Sequence, residues 1–200
     1  MFDFSILAGR VAGFFSLAAF VPYILSTLRG KTKPNRATWW IWTVVGSLLA
    51  LSYYASGARH TLWVAVSYVL GPLVTALFSL KFGVGGWTRF DRVCLLGAGL
   101  GALLWWAFSS PLIALLINLG IDFLGALPTI RKAYSEPGGE DPLAWGLFLL
   151  GNTLNLLAIE KWRFSIAVYP VYMFLLSGLV LLLLTSRRRV KHDLPRQQQN

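Results

Sequence analysis

Seven stretches of this 200-residue chain are apolar over close to the thickness of a lipid bilayer, and no motif limits its possible folds as strongly. They run over Phe4–Leu28, Ala37–Ala55, Thr61–Leu80, Val93–Phe108, Leu112–Ala133, Leu143–Ile159 and Phe164–Thr185. A transmembrane helix needs about 20 apolar residues, so the fourth and sixth stretches are the short ones. Only 13% of residues are charged and the mean hydropathy is +0.62, too little polar surface to cover a soluble domain of this length. The expected fold class is therefore an all-α membrane protein with seven transmembrane helices. Met1-Phe2-Asp3-Phe4 lacks a basic region and no A-x-A-like site follows, so the first span is expected to be retained rather than cleaved as a signal peptide.

The spans repeat. Pro22 precedes Trp39 by 17 residues, and Pro128 precedes Trp145 by the same 17. A gapless shift of 106 also superposes Ile24 on Ile130, Leu48 on Leu154 and Leu51 on Leu157. In both copies the proline falls late in one span and the tryptophan early in the next. Spans one to three and five to seven are then two copies of one unit, with the fourth span needed to restore sidedness. The expected arrangement is 3+1+3, two parallel three-helix bundles related by an axis along the membrane normal. The divisions are residues 1–81 for the first bundle, 82–110 for the loop and linker helix, 111–186 for the second bundle and 187–200 for a basic tail. Gly97 and Gly101 make a G-x-x-x-G face on the linker, read as packing against the bundle rather than as a dimer contact. Gln197 to Asn200 are expected to be disordered.

Charge gives the orientation. Of 18 Lys and Arg residues, 14 fall after spans one, three and five or in the tail, from Arg29, Lys31, Lys33 and Arg36 to Arg187, Arg188 and Arg189. Arg59, Lys161 and Arg163 lie on the other side and Arg10 within the first span. By the positive-inside rule the N-terminus is outside and the C-terminus cytoplasmic, in what is expected to be a bacterial inner membrane. The net charge of +10 is scattered over short loops, which argues against nucleic-acid binding and for contact with anionic headgroups of the lipid bilayer.

Taken together, the 3+1+3 order and the paired prolines resemble the SWEET sugar transporters and the wider PQ-loop superfamily. The resemblance extends from the first span through the seventh. The Pro-Gln pair that marks PQ-loop proteins is absent, since Tyr23 follows Pro22 and Thr129 follows Pro128. Pro34 and Pro142 open the second and sixth spans but do not superpose under the 106-residue shift. The resemblance implies proline hinges and a substrate held between the two bundles. Independently, a proline inside a helix removes one backbone hydrogen bond and leaves a point of easy bending. Pro22 and Pro128 are therefore hinge candidates, with a static packed kink as the alternative.

Asp122 is the only acid deep in a span, about 15 Å into the fifth at 1.5 Å per residue, near the bilayer midplane. Intramembrane acids are costly and usually functional. Asn118, Asp122, Gly125 and Thr129 share one helical face, while their counterparts 106 residues earlier are Ala12, Ser16, Ala19 and Tyr23, so the acid belongs to one bundle only. The substrate-binding candidates are Asn118, Asp122, Asn152, Asn155, Trp39 and Trp145: amides for hydrogen bonds, indoles for a flat ring. Ser67, Tyr68, Tyr169 and Tyr172 are further lining candidates. Against each stands a structural alternative: Asp122 paired with a donor or with Arg10, the asparagines as interhelical glue, the tryptophans as an interfacial belt. Trp40, Trp42, Trp105, Trp106 and Trp162 are assigned to packing or to that belt.

No catalytic constellation or cofactor pattern emerges. Cys94 is the lone cysteine, read as a small packing residue, and His60 and His192 are remote from Asp122, so no metal site is expected. No G-x-S-x-G, phosphate-loop, haem or flavin pattern occurs, and an enzyme is not expected. The expected function is transport of a small polar solute (a sugar, amino acid or similar) by alternating access. It would be coupled to protons if Asp122 titrates, with homo-oligomerisation left open. The alternative is a non-transporting membrane receptor or partner subunit on the same fold. A mid-membrane chamber favours the first, and a shut core with an open cytoplasmic groove favours the second.

Overall fold

The structure, a computed structural model, describes residues 4–85, 88, 89, 92, 93, 96, 97, 100, 103, 107 and 110–197. It is helical, with one isolated bridge between Asn35 and Val84. The helices are α1 (Phe4–Ala18), α2 (Phe20–Leu28), α3 (Arg36–Ala55), α4 (Leu62–Phe82), α5 (Pro111–Ser135), α6 (Pro142–Leu157) and α7 (Phe164–Gln197). A 3-10 turn at Pro137–Gly139 precedes α6. Four stretches are long and apolar enough to cross a bilayer: Phe4–Leu28, which joins α1 and α2, then Leu62–Phe82, Pro111–Ser135 and Phe164–Ser186. These are the helices of a membrane protein. Phe4, Phe14, Leu51, Leu77, Phe123, Leu175 and Leu182 turn outward, an apolar surface far beyond what water-soluble monomers expose and one that lipid would cover.

The remaining spans are weaker. α6 has 16 residues, about 24 Å of helix, and α3 carries Thr38, Thr43, Ser47 and Ser52 among its 20. Residues 92, 93, 96, 97, 100, 103 and 107 of the linker are helical, and Gly97 lies against the side chain of Ile121. Cys94, Gly101, Trp105 and Trp106 lie outside the described residues.

Local chemistry accounts for the helix ends. α2 and α3 each finish on a glycine in the left-handed region, Gly30 at φ 70° and Gly57 at φ 99°. Lys31 N–H donates to the Ser26 carbonyl and Ala58 N–H to the Tyr53 carbonyl, the six-to-one bond that closes a helix around such a glycine. Asn35 caps α3 by accepting from Thr38 N–H at 3.1 Å. Asp141 caps α6 through Leu143 N–H (2.9 Å) and Ala144 N–H (3.2 Å), with Pro142 in the first turn where no N–H is needed.

The prolines behave differently from one another. Pro22 has no N–H for the Ala18 carbonyl, and the helical ladder is interrupted at Ala19, between α1 and α2, although Ala19 keeps helical angles. Pro128 sits in the uninterrupted backbone of α5. Pro72, buried in α4, likewise frees the Tyr68 carbonyl, and Gly46 of α3 packs directly over that oxygen. The last apolar span ends at Ser186, within a residue of the expected Thr185, and the helix continues beyond it through the basic segment. One expectation at the C-terminus is corrected: Gln197, expected to be disordered, ends α7.

Packing follows a paired plan. α4 lies against both α1 and α3, and α7 lies against both α5 and α6. Across the molecule α1 meets α6 and α3 meets α5. Small residues allow the close crossings: on α6, a side chain at Gly151 would collide with Ser16 and with the Ala12 carbonyl of α1. Two buried clusters fill the interior, one around Ile41, Tyr53, Leu115 and Tyr169, the other around Phe20, Trp39, Trp145 and Phe148.

Candidate functional site

The two clusters leave a narrow cavity between them, about 40 Å³ counted as space open to the centres of water molecules. By that measure one water needs roughly 10–15 Å³, so the space holds about three. Its walls come from every span with fully described helices. α2 gives Phe20, α3 gives Trp39, Trp42, Gly46 and Leu49, and α4 gives Tyr68 and Pro72. From the other side come Asp122 of α5, Trp145 and Phe148 of α6, and Tyr169, Met173, Leu176 and Ser177 of α7.

Aromatic rings brace one another around the space. Phe20 meets Phe148 edge-on at 4.8 Å between centroids, Trp39 meets Trp42 at 5.1 Å and Trp145 meets Phe148 at 5.6 Å. These spacings are those of favourable T-shaped pairs. Phe20 in turn rests on Gly71, where any side chain would collide with the ring.

Asp122 is 8% exposed and is the one carboxylate on the wall. Its Oδ2 accepts from the Tyr172 hydroxyl at 2.6 Å, the only hydrogen bond made to it among the described residues. Behind the wall, Asn152 Nδ2 lies within hydrogen-bond distance of Tyr68 Oη (3.1 Å), Ser177 Oγ (3.1 Å) and the Met173 carbonyl (3.2 Å). With two hydrogens to share among three acceptors, it fixes α6, α4 and α7 around the cavity.

At both ends of the bundle a bond joins one half to the other, Lys132 to Lys33 at one and Glu160 to Arg59 and His60 at the other. At the end bearing the α2–α3 and α5–α6 loops, Lys132 Nζ donates to the Lys33 carbonyl (3.1 Å), the Gly139 carbonyl (2.8 Å) and Glu140 Oε1 (3.0 Å). The second oxygen of Glu140 accepts from Trp145 Nε1 at 3.2 Å, so a polar chain runs from this surface to the cavity wall. At the opposite end Glu160 Oε1 accepts from the backbone N–H groups of Arg59 and His60, and Ser5 Oγ bonds the His60 ring at 2.6 Å. Tyr53 Oη donates to the Ile166 carbonyl at 2.7 Å, tying α3 to α7.

Of the expected binding residues, Asp122, Trp39 and Trp145 come together on the cavity wall, and Asn152 supports it from behind. Asn118 and Asn155 are buried but are not on that wall; Asn118 Nδ2 turns back to the Ala114 carbonyl at 2.9 Å. Tyr68 and Tyr169 line the space as expected, and Tyr172 serves it through Asp122. Three readings change. Arg10 is no partner for Asp122: it is exposed on α1 beside Trp63. Ser67 is buried but lies toward the groove beside Arg10 and Trp63 rather than on the central cavity wall, its hydroxyl donating to the Val64 carbonyl. Trp42, assigned to packing, lines the cavity because it stands three residues after Trp39 and shares its helical face.

Neither Lys132 nor Glu140 is among the expected site residues, although an acid five residues before Trp145 is placed to reach its indole. A further set of buried polar atoms has no partner among the described residues. They are Ser16 Oγ on α1, Trp42 Nε1 and Ser52 Oγ on α3, Asn118 Oδ1 on α5, Asn152 Oδ1 and both amide atoms of Asn155 on α6, and Glu160 Oε2. Comparison with family models, with curated proteins and with solved structures finds no match to this chain.

Proposed function

We propose that this protein is a seven-helix transporter of a small solute, built 3+1+3 and similar to the SWEET and PQ-loop proteins. It works by rocking one three-helix unit against the other. The observation that carries this reading is the narrow cavity between the halves, lined from both and holding a single carboxylate, with cross-half bonds at each end. A binding module would need one open face, whereas a central cavity between two units bonded at both ends is what alternating access would use. The packing plan supports the repeat. Exchanging α1 with α5, α3 with α6 and α4 with α7 turns each described contact into another: α1–α4 into α5–α7, α3–α4 into α6–α7, and α1–α6 into α5–α3. On this reading the end bearing Lys33 and Lys132 faces the cytoplasm, and the segment from residue 92 to 107 is the linker span.

The test is uptake into liposomes carrying the purified protein, with a panel of labelled sugars, amino acids and organic cations and with and without a pH gradient. We expect saturable uptake of at least one class, reduced about a hundredfold by Asp122→Ala. Saturable uptake that is unchanged in Asp122→Ala would remove Asp122 from the site, and no uptake of any class would sink the transport reading.

A further inference from the structure

The cavity is poorly furnished for a sugar. Its polar groups are few: the Asp122 carboxylate, the Trp42 indole N–H, and the hydroxyls of Tyr68 and Ser177, both already engaged with Asn152. The rest of the wall is aromatic or aliphatic. A hexose held there would leave most of its hydroxyls without partners, a loss that binding sites for hydroxyl-rich ligands avoid. The site is instead rich in two things a cation needs. Aromatic faces attract positive charge through their quadrupoles. Asp122 supplies a negative charge, and no Lys or Arg among the described residues lies on the cavity wall to neutralise it.

We propose that the ligand of this cavity is a small organic cation, an ammonium or aromatic onium group, held by Asp122 within the box formed by Phe20, Trp39, Trp42, Trp145 and Phe148. This deepens the transport reading and rests on it for the identity of the site. The geometry also places a hydrogen-bond donor. Trp42 Nε1 is buried and unpartnered, and it faces α5 at Gly125, three residues from Asp122. A ligand with a cationic head and one oxygen acceptor beside it would satisfy both groups. The space for about three waters is too small for such a molecule, so it enters when the halves part and the rings close over it.

The test compares cations with uncharged molecules of the same shape. Protein in nanodiscs is titrated with choline, tetramethylammonium and N-methylpyridinium, and with 3,3-dimethyl-1-butanol and toluene as neutral isosteres, following the thermal unfolding midpoint. We expect at least one cation to stabilise the wild type at about tenfold lower concentration than its isostere. Asp122→Asn should bring that ratio close to one, and if this variant does not fold the wild-type comparison still decides. Equal potency of cation and isostere, or stabilisation by glucose or neutral amino acids but by no cation, overturns the proposal. Uptake in liposomes separates it from the transport reading. Cation binding without flux keeps this inference and removes transport, while flux of a neutral solute without cation binding keeps transport and removes this inference.

Discussion

Ser16 on α1 and Asp122 on α5 stand 106 residues apart, as do Val45 on α3 and Gly151 on α6, and in neither pair do the two residues do the same thing. Ser16 is buried against Gly151 with its hydroxyl unpaired, whereas Asp122 reaches the cavity and holds Tyr172. Val45 fills space in the α3 interior, whereas Gly151 must stay bare for α1 to approach. The interruption at Ala19 has no counterpart in α5. The first half thus carries the break in its helix and the second half carries the charge. Under the proposed repeat, positions 106 residues apart share one packing plan and differ where one helix is interrupted and where the other carries the acid.

That contrast can be broken at Gly151. Gly151→Val gives α6 the residue that α3 carries, yet its methyls would meet Ser16 and the Ala12 carbonyl. We expect a loss of about 1–3 kcal/mol in reversible unfolding in micelles. A variant as stable as the parent would mean that α1 and α6 are not closely packed.

The two closures should also differ. Glu140 is almost wholly buried, its side chain 4% exposed, while Glu160 keeps 17%. Lys132→Met removes both the cation beside the buried Glu140 and the bond to Lys33 across the halves, and should open its end, raising thiol labelling of a Thr129→Cys reporter about tenfold. Glu160→Ala should raise labelling of Ala58→Cys at the other end by only about two- to threefold, because its bonds are more exposed. Equal effects, or a larger one at Glu160, would reverse the ranking. The smallest effect is expected at the prolines. Pro22→Ala should restore the ladder at Ala18 and slow turnover roughly two- to fivefold with ligand affinity unchanged, and Pro128→Ala should slow it less. If both variants turn over at the parental rate, the prolines are static kinks.

The helices were legible where hydrophobicity alone decides. α3, α4, α5 and α6 begin and end within about two residues of the apolar runs, because a run stops where Asn35, Gly57 or Asp141 offers a cap. Trp39 and Trp145 were legible as a pair through their shared spacing from a proline. The rest depends on which face of a helix turns inward, and in lipid both faces are apolar, so the usual contrast between wet and dry sides is missing. This is why Trp42 was assigned to packing and Asn118 and Asn155 to the site, although all three sit on the expected helices. Lys132 was hidden for another reason: its bond to the Lys33 carbonyl forms only where loops 99 residues apart meet, although its pairing with Glu140 is local.

The orphaned polar atoms have a bearing on how readily this molecule changes shape. Apart from Glu160, all lie on α1, α3, α5 and α6, the helices that face across the halves; none among the described residues lies on α4 or α7, whose Ser67, Thr75, Ser79 and Ser177 all bond backbone carbonyls of their own helices. Each unmatched group in a dry interface costs about 1–3 kcal/mol. The packed interior is therefore locally frustrated along these seams, and if the halves part as proposed, hydration would relieve what packing imposes. A protein with every such group satisfied would be more stable and would open more rarely. On the transport reading, such imperfect seams would narrow the gap between the packed and the open form, so that a ligand of modest differential affinity would be enough to choose between them.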